Sequence, residues 1–325
     1  MKYKQIDGVI KPVARLLQGT VMLTAENRDG NFRLLDALFE KGFSSYDTAH
    51  GYGEGVCEKE LGAWIKARGI RDEVVILTKG CHPYKGEPKR VAPAYIRQDL
   101  EESLERLQTD HVELYLLHRD DREYPVGEIV DVLDEYKSKG QIGVYGGSNW
   151  RADRVAAANE YAAANGKARF TVSSPQFSVA EMIKEPWPGC ISVSGAQGES
   201  DRDWYDTNDI SLFTWSSLAG GFMTGKFTRE NTDGFSDYWD TNPIGAYAYE
   251  SNFQRLDRVI ELAADKGVSP AQISVAYVLS KSPRYHAIIA NWEVEQIAEN
   301  VAAVDIELTA TEIAWLELQT EEKPA

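Results

Sequence analysis

Residues 14–31 read ARLLQGTVMLTAENRDGN, and the half after the apolar run decides the fold. An open, doubly wound sheet that binds a dinucleotide carries G-x-G-x-x-G between its first strand and first helix. Here the first strand candidate leads into TVMLTAENRDGN, where that spacing is missing. Seven further runs rich in β-branched and aromatic residues follow: FSSYDTA (43–49), VVILTKG (74–80), VELYLLH (112–118), IGVYGGS (142–148), FTVSSPQ (170–176), ISLFTWSS (210–217) and HAIIA (286–290). Their nearly continuous apolar character is that of strands buried on both faces. Amphipathic stretches separate them, among them NFRLLDALFEKG (31–42), VCEKELGAWIKARG (56–69), AYIRQDLEESLERL (94–107), VGEIVDVLDEYKSKG (126–140) and RADRVAAANEYAAANG (151–166), several closed by a helix-ending glycine. Eight strand–helix units predict an α/β fold, a closed (β/α)8 TIM barrel forming a single domain over residues 1–325, with an open sheet as the alternative.

Two segments, 177–210 after the sixth strand and 222–251 after the seventh, exceed ordinary loop length. They hold Trp187, Trp204, Tyr205, Tyr238 and Trp239, and are expected to be lids on the substrate side, because barrel enzymes keep their active sites at strand C-termini.

The 325 residues carry a formal charge of −16. A polyanion is repelled by that balance, so nucleic acid and anionic membrane surfaces are excluded as expected partners. No apolar run has the length of a membrane helix, and the start MKYKQIDGVIKPV lacks a secretory stretch, which predicts a cytoplasmic protein. Cys57, Cys81 and Cys190 lie far apart and read as free thiols. The histidines show neither H-x-H nor H-E-x-x-H, so no metal is expected.

Placing the strands puts polar residues at their C-terminal ends: Asp47, Lys79 and His118, with Tyr52 just beyond Asp47 in the glycine loop DTAHGYGEG. Each has an ordinary structural explanation, as an ion pair, a hydrogen-bonded histidine or a tyrosine at a turn. Together they suit proton transfer. A phenol, ordinarily a weak acid, is made more acidic by a nearby ammonium; Asp47 would hold Lys79, and His118 could bond a carbonyl oxygen where charge develops.

With these residues in place, the chain resembles the aldo-keto reductase family along almost its whole length. The matching segments are YDTAHGYGEGVCEKELG, VVILTKG, DHVELYLLHRDD, GGSNW, SSPQ, WSSLAGGFMTGKF and AIIANWEVEQIAEN. The resemblance implies a barrel that binds NAD(P)(H) across its mouth and transfers hydride between nicotinamide and a carbonyl or alcohol carbon. It implies Asp47, Tyr52, Lys79 and His118 as the catalytic residues; Ser148, Asn149 and Gln176 on the carboxamide; and Trp215 stacked on the nicotinamide. It further implies Ser216, Leu218 and Gly220 along the pyrophosphate, with Glu299 and Asn300 near adenine. Where many members place basic residues for a 2′-phosphate, this chain has Ala290, Asn291, Trp292, Glu293 and Gln296. That substitution favours NAD(H), with Glu293 a candidate acceptor for the ribose hydroxyls.

The expected function is therefore carbonyl–alcohol interconversion on a small molecule. Aromatic lids with Arg119, Asp120, Arg151 and Asp203 nearby point to a sugar, polyol or related hydroxylated compound. A regulatory, weakly catalytic nicotinamide-binding subunit, as in the family's potassium-channel β subunits, is one alternative. A barrel hydrolase is another, disfavoured because Asp120 and Asp121 sit side by side in one loop instead of facing each other across the mouth.

Overall fold

The computed structural model describes residues 1–84 and 89–324. In chain order its elements are β1 (Tyr3–Lys4), β2 (Val13–Ala14), β3 (Leu16–Gly19), α1 (Arg28–Glu40), β4 (Ser45–Asp47), α2 (Val56–Arg68), β5 (Val75–Gly80), α3 (Pro93–Leu107), β6 (Val112–Leu117), α4 (Val126–Ser138), β7 (Ile142–Ser148), α5 (Ala152–Ala164) and β8 (Val172–Ser174). They continue with α6 (Glu199–Thr207), β9 (Ser211–Thr214), α7 (Tyr238–Tyr247), α8 (Glu250–Lys266), α9 (Pro270–Lys281), β10 (Tyr285–Ile289), α10 (Glu295–Ala302) and α11 (Ala310–Leu316). Strands β3 to β10 are parallel and close into the expected barrel, β10 pairing with both β9 and β3.

Strand periodicity sorts the side chains. Val75 and Leu77 of β5, and Leu114 and Leu116 of β6, point into the lumen, where they meet Leu17, Val172, Phe213 and Ile288. The alternate residues Ile76, Tyr115 and Leu117 pack outward in the helix-facing core. The antiparallel pair β1–β2 lies at the N-terminal end, and Ile6, Val9 and Val13 join the lumen cluster there. The lumen is thus a packed core whose N-terminal end is stoppered.

Two expectations about the long segments need correction. Segment 177–210 contains α6, the crossover helix between β8 and β9, and segment 222–251 contains α7. Helix α6 buries only Arg202 and Tyr205, so it has no apolar stripe for a periodicity search to find. Trp204 and Tyr205 accordingly belong to α6, with the Tyr205 hydroxyl donating to the Trp150 carbonyl at 3.1 Å, and they are no part of a lid.

The approach of β7 to β8 depends on Gly146. A Cβ there would lie 1.8 Å from the carbonyl oxygen of Val172, a backbone atom that cannot swing aside. Gly146→Ala is therefore expected to cost at least about 3 kcal/mol, the upper range for overpacking, and to lower the thermal midpoint by several degrees. Gly245→Ala in α7, where a Cβ meets nothing within 4 Å, serves as the comparison and should not lower it. Calorimetry of both variants checks the pair.

Candidate active site

The alternation that sends Val75 and Leu77 inward continues to Lys79, and that of Leu114 and Leu116 continues to His118. Asp47 pairs in register with Leu77, one strand over, so all three polar side chains arrive at the C-terminal end of one lumen. The chain leaving β4 stays bound to β5, Thr48 N donating to Leu77 O and His50 N to Lys79 O, which carries the next turn across Lys79. That turn presents Tyr52. It is closed by Glu54 and the glycines on either side of it, all left-handed, at φ 54° for Gly53, 53° for Glu54 and 89° for Gly55. A side chain at Gly55 would meet the Arg106 guanidinium at 2.6 Å.

Lys79 Nζ donates to Asp47 Oδ1 at 2.5 Å, to Thr48 O at 2.9 Å and to the Tyr52 hydroxyl at 3.4 Å. The Tyr52 and His118 rings meet edge to face at 5.7 Å. Burial opposes the Lys79 charge, but Asp47 and Tyr52 more than offset it and hold the ammonium above its ordinary value. For Tyr52 the balance runs opposite to the expected one: burial raises the phenol above its ordinary value, although Lys79 pulls it down. The hydroxyl is therefore held protonated. His118 is pushed far down by burial and by Lys79, Arg119 and His82, which keeps the imidazole neutral with one N–H to donate.

These residues form the floor of a cavity of about 1200 Å³. One wall holds Ser148 and Asn149, the latter left-handed at φ 58°, its Oδ1 accepting from Ile191 N at 3.1 Å and from the Trp215 indole at 3.2 Å. Ser216, Leu218 and Gly220 follow Trp215 along the edge, and Trp292, Gln296, Glu299 and Asn300 close the far end. Asn300 also has a buried Oδ1 without a hydrogen-bond partner.

Two expected contacts lie elsewhere. Gln176 is fully buried and turned to Ser178, Ser192 and Ser194, because its backbone pairs with residues 191 and 193 and draws the side chain away from the cavity. Glu293 is exposed and does not line the cavity; Glu299, six residues further on and within α10, is the acid at that edge.

Of the polar residues expected to read hydroxyl groups, only Arg119 lines the cavity. Asp120 pairs with Arg154 at 3.2 Å, Arg151 stands exposed before α5, and Asp203 is exposed on α6. The residues that the two long segments bring to the cavity are largely aromatic: Trp187 donates to the Tyr238 hydroxyl at 2.5 Å, Trp187 lies 6.1 Å from Trp215, and Trp239 reaches Trp292 at 5.9 Å. His82, whose ring meets His118 at 4.7 Å, is a lining residue that the sequence motifs did not single out. Its only signal was its place two residues after the end of β5. All three cysteines are free and buried. Among the described residues no group of three or more His, Cys, Asp or Glu could hold a metal, and no helix is long and apolar enough to cross a membrane.

Comparison with known proteins finds relatives along nearly the whole chain. A norsolorinic acid reductase of Emericella nidulans is 30% identical over 88% of this chain and 70% of its own length. A putative aryl-alcohol dehydrogenase of Saccharomyces cerevisiae is 28% identical over 90% of this chain and 77% of its own. Among solved structures, an aldo-keto reductase from Klebsiella pneumoniae in complex with NADPH superposes with a TM-score of 0.70 at 25% identity, over 95% of this chain and 91% of that one. The sequence profile of the aldo/keto reductase family matches residues 15–318, nearly the whole chain, and this protein belongs to that family.

Proposed function

We propose that the protein reduces an aldehyde or ketone to the alcohol, and runs the reverse oxidation, with a nicotinamide dinucleotide as hydride carrier. The observation that carries the reading is the cluster on the cavity floor, a buried ammonium 2.5 Å from Asp47 and 3.4 Å from the Tyr52 hydroxyl, with a neutral His118 beside it. The donor set fits the cofactor. Ser148 and Asn149 are neutral polar groups suited to an amide, Trp215 offers a ring face, and the orphan acceptor of Asn300 suits an amino or hydroxyl donor. When bound, the nicotinamide supplies the hydride that reaches the carbonyl carbon.

The chain's own residues manage the proton. Tyr52 gives its hydroxyl proton to the carbonyl oxygen, which becomes the alcohol. Lys79 stabilises the phenolate left behind, Asp47 fixes Lys79, and His118 donates its N–H to the oxygen as charge grows there. Relatives named for aryl alcohols, together with the indole rings of Trp187 and Trp239 over the cavity, support an aromatic carbonyl compound. The same rings would also stack on a sugar, but Asp120, Arg151 and Asp203 do not reach the cavity to bind its hydroxyls.

Tyr52→Phe should lower kcat by at least about 10²-fold while leaving cofactor affinity nearly intact. Because burial raises the phenol and depresses the histidine, wild-type reduction should hold a plateau through neutral pH and fall only as Tyr52 deprotonates on the alkaline side. Near wild-type turnover of the variant in single-turnover mixing would refute the assignment.

Cofactor choice is set at the far end of the cavity. Among the described residues its lining lysines and arginines are Lys79, Arg119 and Lys226, of which the first pairs with Asp47 and the last with Asp240, and none belongs to the 290–300 edge, where Glu299 is the charged residue. Arg284 is paired with Asp209 and does not line the cavity. A 2′-phosphate would find repulsion there, so kcat/KM should favour NADH over NADPH by at least about tenfold, some 1.4 kcal/mol. The opposite preference at equal ionic strength would overturn this.

A further inference from the structure

Among the described residues, the cavity floor carries one charge with no carboxylate in an ion pair with it. Arg119 follows His118 at the end of β6, is only 8% exposed, and lines the cavity beside Trp187 and Cys190. Its guanidinium donates from Nε to Pro188 O at 3.1 Å, from one terminal nitrogen to His118 O at 2.8 Å, and from the other to Cys190 Sγ at 3.4 Å. All three acceptors are neutral. Among the described residues no carboxylate pairs with Arg119: its neighbour Asp120 pairs with Arg154, and the exposed Glu185, which accepts from Gly189 N at 2.9 Å, forms no ion pair with it. Three of the five N–H groups are used, leaving one on each terminal nitrogen.

A guanidinium keeps its charge at any ordinary pH, and burying one without a counter-ion is costly. Lys79 and Lys226, which also line the cavity, each have an aspartate. Arg119 stands on the floor side, close enough that its charge acts on Tyr52, His118 and His82. The segment Ser216–Gly221 follows a different strand, β9. Arg119 adjoins His118, at the end of the cavity where the carbonyl would be reduced, so an anion held there would lie on the molecule that is reduced. The two terminal nitrogens each keep a free N–H, a donor pair of the kind a carboxylate accepts, and one guanidinium on a chain of charge −16 suits one negative charge better than two.

We propose that Arg119 anchors a carboxylate on the substrate, making this enzyme a reductase of carboxylated aromatic aldehydes or ketones. The proposal rests on the carbonyl-reductase reading of the same site. Trp187 and Trp239 pack on the ring, Arg119 holds the acid group, and the carbonyl is thereby turned to Tyr52 and His118.

The test compares 3- and 4-carboxybenzaldehyde with their methyl esters in the wild-type enzyme. At least one acid should exceed its ester in kcat/KM by about tenfold or more, mostly through KM. Arg119→Gln should bring that acid-to-ester ratio to about one, and Arg119→Lys should restore part of it; a ratio cancels any damage common to both substrates. Acid-to-ester ratios at or below one for both isomers in the wild type overturn the anchor while leaving the reductase reading intact. Failure to reduce any of the four sinks the reductase reading instead. Calorimetry with cofactor present then judges the anchor alone: benzoate binding no tighter than benzamide refutes it.

Discussion

The chemical end of this barrel depends on one buried ion pair. Lys79 ends a strand whose other inward residues are apolar, and an ammonium in that position is tolerable only because Asp47 arrives beside it from the next strand. The register that pairs Asp47 with Leu77 therefore does more than extend the sheet. It places an acid where the lumen would otherwise hold an uncompensated charge, and the third donor bond of that ammonium reaches Tyr52. Shifting β4 by one residue would send Asp47 to the helix side and leave Lys79 alone.

Around this pair, neighbouring groups take opposite protonation behaviour from shared surroundings. Burial holds the phenol up and the imidazole down, so each keeps a proton to donate at neutral pH. The cations Lys79 and Arg119 both favour a phenolate and both disfavour an imidazolium. One electrostatic arrangement thus serves two different residues, and does so without a metal-binding cluster among the described residues.

How much of this was legible depends on whether a feature is local. The eight strands and the residues at their ends were readable because a strand's period of two and a short glycine loop are properties of consecutive residues. Helix α6 escaped because it buries an arginine and a tyrosine and little else. Gln176 and Glu293 follow family positions, yet their side chains are directed by contacts with residues 191–194 and by the turn before α10, which no short window contains. The sign of the Tyr52 shift also escaped: the sequence names the ammonium but not the depth of burial that outweighs it. Arg119 was legible as a polar loop residue, whereas its lack of a carboxylate is visible only in three dimensions.

The stopper formed by Ile6, Val9 and Val13 has an evolutionary consequence. Beside it, Glu113 is gripped by Lys11 at 2.6 Å and Arg71 at 3.0 Å, so the base of the barrel has its own ionic clamp. Cohesion at the base and chemistry at the rim are thus assigned to different residues of the same strands, as with Glu113 and His118 on either end of the run 112–118. Rim loops can then drift, lengthen or exchange aromatic residues while the base supplies a margin of stability to absorb the cost. A lineage built this way can acquire new substrates by rewriting the stretch ahead of α6 and segment 222–251 without renegotiating the fold.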